Sequence, residues 1–282
     1  MTPLLRMMLV LFLTGSAAGA VNHVQTLEEA RQQARDLDEP ILIEVGVKGC
    51  GSCRRFERAV VSDSCIQRAL SGLVLLTVDI AHGEGKQIQR DFQPRIFPTF
   101  LLVDANLDLI DRWFGFIDAD AWIEVARDAR SDLDPLTRKR ELYERTPTRA
   151  RAAALGRDAF LAGEPKPAVA YFRAAQALDP EHAHRYTFPI FFAMQDAMDR
   201  FTAEQLTAAA DAVLANEHRR LMDVIRVAQS MVRLAKVLEQ PKLMLPYIDR
   251  AIAESKGSGR WLVLKARQKL LKVRADALQG SG

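Results

Sequence analysis

Three cysteines among 282 residues are too few for a disulfide-stapled miniature scaffold. The 15 glycines and 12 prolines make up about a tenth of the chain, which excludes collagen-like, mucin-like and disordered classes. A dominant charge is also missing. The 39 Lys and Arg residues stand against 36 Asp and Glu, and a net of +3 excludes a broadly basic nucleic-acid binder. Beyond residue 20 no apolar run approaches the length of about 20 residues that a bilayer-spanning helix needs. The cysteines form no second C-x-x-C and the histidines no pair at the three-to-five-residue gap of structural zinc sites, so a zinc site would be short of ligands. No flavin or nicotinamide fingerprint is present, and neither metal nor organic cofactor is expected.

The length suggests two domains with sizeable cores. Residues 1–20 read as a cleavable export signal: Arg6 supplies a short positive region, Met7 to Leu13 are apolar, and Ala18-Gly19-Ala20 is a small-x-small cleavage site. No cysteine follows that would mark a lipoprotein anchor. The expectation is a mature chain starting near Val21 in an oxidising compartment, a bacterial periplasm. An uncleaved interfacial anchor is the alternative.

Charge divides the remainder. Residues 21–131 carry 13 basic and 18 acidic side chains, and residues 132–282 carry 25 and 18. All three cysteines lie in the acidic part, where the hydrophobic period alternates. Leu27, Ala30, Ala34 and Leu37 follow Thr26 at helical spacing; Ile41 to Val47 is a short strand; residues 54–70 read as one helix; Leu73 to Val78 is a second buried strand. A short helix near residues 86–92 precedes strands Thr99–Val103 and Leu107–Trp113, joined by a tight turn at Asp104-Ala105-Asn106, and Trp122, Val125 and Ala126 mark a closing helix. This order predicts a central mixed sheet flanked by helices over residues 21–131.

Residues 132–148 read as a linker with helical character, and residues 149–278 as all-helical. From Arg149 one unit places Leu155-Gly156, Ala159, Ala168, Phe172, Ala175 and Pro180 as in a tetratricopeptide (TPR) repeat, where small residues let two helices approach. Pro241-Lys242, Tyr247 and Ala251 echo Pro165-Lys166, Tyr171 and Ala175. The expectation is a helical-hairpin, TPR-like array, with a plain helical bundle as the alternative.

The chemistry centres on Cys50-Gly51-Ser52-Cys53, where the first strand gives way to a helix. Cysteines at i and i+3 in a first helical turn can close into a disulfide without rearranging the backbone. The helix N-terminus stabilises a thiolate on the first of them. Lys48 and Arg54, with Arg55 beside them, add positive charge that lowers its pKa. Cys50 is thus the expected nucleophile and Cys53 the resolving thiol. An inert structural disulfide, or half of a zinc site completed by Cys65 and His82, are the other readings of the same residues. Cys65 itself reads as a small buried apolar residue or as a third redox thiol. Trp113, Phe114 and Trp122 read as core or as a peptide platform.

Residues 22–130 resemble the thioredoxin superfamily. The resemblance rests on the strand–C-x-x-C–helix context, on Ile96-Phe97-Pro98-Thr99 where the family has its cis-proline loop, on the hairpin that follows, on Glu44 six residues before Cys50, and on Gly115 after the last strand. The segment after C-x-x-C, with Phe56-Glu57-Arg58 and Ser62-Asp63, is most like the C-terminal domain of bacterial thiol:disulfide interchange proteins. The resemblance implies that the proline packs against a redox-active Cys50–Cys53 disulfide, that substrate chain is received beside Pro98 and Phe97 and over Gly51-Ser52, and that Glu44 assists deprotonation of Cys53. Gly49 stands where tryptophan is usual, Ser52 where proline is, and Leu75 where a lysine partners the buried acid; without that lysine Glu44 is expected to titrate higher. The implied function is thiol–disulfide exchange on protein substrates, with a protein electron donor or acceptor at the membrane and the helical part docking a partner or forming a dimer interface. The competing reading is a non-catalytic adaptor, in which the helical array binds a client and the first domain is a binding module.

Overall fold

The computed structural model describes residues 21–279; the expected export signal lies outside them. The α/β region runs β1 (Asn22–Val24), α1 (Leu27–Leu37), β2 (Ile41–Gly46), α2 (Gly51–Ser62), α3 (Ser64–Leu70), β3 (Val74–Asp79), α4 (Gly85–Phe92), β4 (Thr99–Val103), β5 (Leu109–Phe114) and α5 (Ala119–Ala129). The strands form one sheet in the order β1-β3-β2-β4-β5. β2 pairs with β3 in parallel and with β4 antiparallel, so the strand that precedes the cysteines lies in the middle. Every residue of β2 is buried, as expected for a central strand covered on both faces. On one face Leu42, Phe56, Leu75, Phe100, Trp113 and Trp122 pack together; on the other Ile43, Val45, Leu76, Ile88 and Leu101 do. Trp113 and Trp122 are core residues.

Local sequence accounts for most element ends. Thr26 and Glu29 close a capping box on α1. At the hairpin the Asp104 carboxylate accepts the Asn106 and Asp108 N–H groups, and Leu107 lies in the left-handed region at φ 72°. That turn delays β5 to Leu109, two residues after the expected start. The expected helix over residues 54–70 is two helices. Asp63 leaves helical geometry (φ −112°, ψ 109°) and its carboxylate caps the Cys65 and Ile66 N–H groups. The three-residue strand β1, too short to show a period, pairs in parallel with β3.

The rest is helical: α6 (Leu136–Arg145), α7 (Arg149–Leu161), α8 (Pro165–Leu178), α9 (Thr187–Asp196), α10 (Ala203–Ala215), α11 (Leu221–Val237), α12 (Leu245–Glu254) and α13 (Trp261–Gln279). α7 and α8 form a hairpin through Gly163, at φ 80°. A Cβ on Gly156 would lie 2.7 Å from the Phe172 ring, and Ala159, Ala168 and Ala175 are buried around that crossing. The later echo departs from this pattern. Pro241–Met244 is a 3-10 turn, and α12 starts only at Leu245, next to Pro246, which has no N–H to continue a helix from Pro241.

The helical region is bound to the edge strand β5. Asp111, 1% exposed at its side chain, takes both nitrogens of a fork from Arg157, Nε at 3.0 Å and a terminal nitrogen at 2.6 Å. Arg157 also reaches Asp128 at 2.8 Å, and Arg149 pairs with Asp128. Arg112 returns the contact to Asp158 at 2.7 Å. Lys139 on α6 is fully buried and donates to the Ile110 carbonyl at 2.7 Å; burial lowers its pKa, opposed by the nearby Asp111.

Candidate active site

Cys50 is the N-cap of α2: its backbone is extended (φ −65°, ψ 111°) and its Sγ accepts the Cys53 N–H at 3.1 Å. Cys50 and Cys53 form a disulfide, with Cα atoms 5.4 Å apart. The outer cysteine is half-buried and the inner one is 4% exposed. This asymmetry follows from the helix start, which holds position i at the rim and turns i+3 toward the sheet. The preceding Gly49 lies at φ 88°, a conformation that favours glycine and bends the chain from strand to helix.

Glu44 is buried to 0% exposure on β2, and both carboxylate oxygens lack a hydrogen-bond partner. Gly46 relates it to the sulfurs: the point a Gly46 Cβ would occupy is 3.4 Å from Cys53 Sγ and 3.4 Å from Glu44 Oε1. The absence of a side chain there leaves acid and inner sulfur facing the same gap. Burial, and secondarily the charge of Glu57, pushes the Glu44 pKa up to about 8. Leu75, itself buried, supplies no compensating charge.

The Phe97–Pro98 bond is cis and Pro98 is buried. Val45 pairs with Thr99, so the next step of that antiparallel register brings Pro98 opposite Gly46, beside Cys53. The Pro98 carbonyl accepts the Gly115 N–H at 2.7 Å, with Gly115 at φ 81°. Gly51 is exposed, while Ser52 and Phe97 are half-buried.

Lys48 and Arg54 are exposed, and the guanidinium that touches the motif is that of Arg55. It donates to Ser52 Oγ at 2.7 Å and to the Phe116 carbonyl at 3.2 Å, tying the inner dipeptide to the loop after β5. The spacing of Arg55 from Ser52, three residues along a helix, was the available signal. Cys65 is exposed, at the start of α3, because Asp63 restarts the helix and gives the buried face to Ile66 and Leu70. The Arg68 guanidinium lies 3.0 Å from its sulfur. Among the described residues no three His, Cys, Asp or Glu side chains converge as metal ligands.

A family model described as thioredoxin-like matches residues 22–105. The thiol:disulfide interchange protein DsbD of Klebsiella pneumoniae is 30% identical over 112 residues, which cover 38% of this chain and 18% of that protein. The chain thus spans under a fifth of the length of this curated relative. Among solved structures, the oxidised DsbD C-terminal domain of Neisseria meningitidis is 15% identical, with 36% of this chain and 90% of that one covered at a TM-score of 0.32. A thioredoxin from Thermus thermophilus is 20% identical, with 38% and 85% covered at a TM-score of 0.34. The thioredoxin-like family model thus matches the segment of this chain that holds β1 to β4 and the Cys50–Cys53 disulfide.

Proposed function

We propose that this chain is an exported, periplasmic thiol–disulfide oxidoreductase acting on protein disulfides through Cys50 and Cys53. The observation that carries the reading is the half-buried disulfide at the start of α2, whose inner sulfur faces the unpartnered Glu44. The thioredoxin-like match over residues 22–105 and the 30% identity over 112 residues to an interchange protein support it. In the reduced form the Cys50 thiolate, stabilised by the unpaired N–H groups of the first turn, attacks one substrate sulfur. A mixed disulfide forms and the other substrate sulfur leaves as a thiolate. Glu44 takes the Cys53 proton, and the Cys53 thiolate attacks Cys50 Sγ. The second substrate thiol is released; two electrons have passed to the substrate and the Cys50–Cys53 disulfide is restored. In the oxidised form a pKa of about 8 leaves Glu44 mostly protonated at pH 7. It can then protonate Cys53 as that sulfur leaves, when the thiolate of a protein electron donor attacks Cys50.

Pro98, Phe97, Gly51 and Ser52 form the floor that receives substrate chain, and Lys48 and Arg54 add positive potential at the rim. No resident cofactor takes part. Equilibration of the chain from Val21 in graded redox buffers tests the reading. A potential near −270 mV identifies a reductant and one nearer −120 mV an oxidant. A pair that does not cycle, with insulin reduction no faster than for Cys50→Ser, overturns exchange in favour of the adaptor reading.

A further inference from the structure

Two residues flanking Pro98, Ile96 in the chain and Phe114 in space, also pack against the core of the helical region. The Phe114 ring stacks on Phe160 at 5.2 Å and on Phe192 at 5.6 Å, and Phe192 stacks on Phe188 at 5.7 Å. This aromatic row starts one residue before Gly115, whose N–H holds the Pro98 carbonyl. It runs outward along α9, where Phe188 and Phe192 stay half-buried. Arg226 of α11 closes the row, its guanidinium carbon 5.7 Å from the Phe188 centroid and 5.9 Å from that of Phe192.

Among the described residues Arg226 forms no ion pair with a carboxylate; the acid one turn before it, Asp223, attracts it through space but is held in contact by Arg220 at 3.0 Å. Arg220 in turn reaches Asp118, in the loop after Gly115, at 3.7 Å, which places this end of α11 against the same rim of the active site. Burial lowers the Arg226 pKa, so the guanidinium is partly stripped of water. Arg226 is half-buried, and its guanidinium has no hydrogen-bond partner among the described residues. A half-buried cation on aromatic faces, with no hydrogen-bond partner of its own, fits an anionic side chain from outside.

We propose that Phe192, Phe188 and Arg226 form an outer subsite for the protein substrate. It takes an acidic side chain from the substrate segment that flanks the cysteine attacked by Cys50. The apolar faces of Phe188 and Phe192 cover the intervening chain. This inference rests on the exchange reading for its catalytic consequence, and it assigns the helical region a part in substrate choice.

The test uses two peptide disulfides that differ only in having Glu or Gln at every position from two to six residues beyond the reactive cysteine. The chain should turn over the Glu peptide with about tenfold higher kcat/KM, the value of one partly buried charge-assisted hydrogen bond. Arg226→Gln should bring the ratio to about one, Arg226→Glu should invert it, and Arg226→Lys should keep most of it. A parallel titration uses the same peptides with serine in place of cysteine and reads binding without exchange. A Glu preference in binding with no turnover overturns the exchange reading and leaves the subsite standing. Equal treatment of the two peptides by the unaltered chain, in binding and in turnover, overturns the subsite. A preference that survives Arg226→Gln overturns the assignment to this side chain.

Discussion

Glu44 and Asp111 are both carboxylates at 0% exposure on strands of one sheet, and they have opposite surroundings. Asp111 receives a two-nitrogen fork from Arg157. Glu44 has no partner for either oxygen and its pKa rises to about 8. The difference separates two uses of a buried acid. A satisfied carboxylate fixes one part of the molecule on another. An unsatisfied one lowers stability and gains a proton that can move at neutral pH, which is the condition for acid–base work beside a sulfur.

The largest expected effect lies at the reactive end. Cys50→Ser should reduce insulin-disulfide reduction to the uncatalysed rate while circular dichroism stays unchanged. At the fixed end, Arg157→Met leaves Asp111 buried without its charged partner, with only the Arg112 N–H still on its carboxylate. It should cost about 3–5 kcal/mol in denaturant unfolding, and Asp111→Leu combined with Arg157→Met should recover most of that loss. The single variant would move Asp111 toward the situation of Glu44, so recovery by the pair is the sharper half of the experiment.

Glu44→Gln moves the contrast the other way. Between pH 4.5 and about 8 the unfolded chain has an ionised Glu44 and the folded chain a neutral one, so stability falls as pH rises through that window. The variant should therefore be more stable than the unaltered chain by a margin that grows from pH 5 to pH 8. The limit is about 5 kcal/mol, and turnover should fall about 10²-fold. A margin that does not vary with pH would show that Glu44 is ionised in the fold. Smaller still, Gly156→Ala pushes a methyl toward the Phe172 ring and should cost about 1–3 kcal/mol. Cys65→Ser, at an exposed site away from the sheet, should change stability by less than about 0.5 kcal/mol and leave exchange intact.

What was legible in the sequence was local. Cys50 and Cys53 carry their chemistry in their spacing, β2 in an unbroken apolar run, and the hairpin in Asp104-Ala105-Asn106. The α7–α8 hairpin is legible in small residues at its crossing, Gly156 above all. What was hidden depends on partners distant in the chain. Nothing near Asp111 announces that Arg157, 46 residues on, will occupy it, and a lysine in a polar stretch such as Arg138-Lys139-Arg140 gives no sign of burial. The break at Asp63 lay between: its capping side chain was visible, but the apolar positions on either side kept helical spacing across it. The exposure of Cys65 followed from that break.

The flanks of the sheet have a consequence for behaviour in a crowded solution. An open strand of five or six residues invites another chain to pair with it, and such pairing leads to aggregation. Here the β1 flank is three residues long. The β5 flank is overlaid by α6 and α7, with the Ile110 carbonyl already taken by Lys139. A polypeptide arriving in extended form finds little to pair with along either side. Truncation before residue 136 would uncover β5, and the shortened chain should self-associate where the full chain stays monodisperse in light scattering. On this view the helices guard an adhesive strand as well as packing on it.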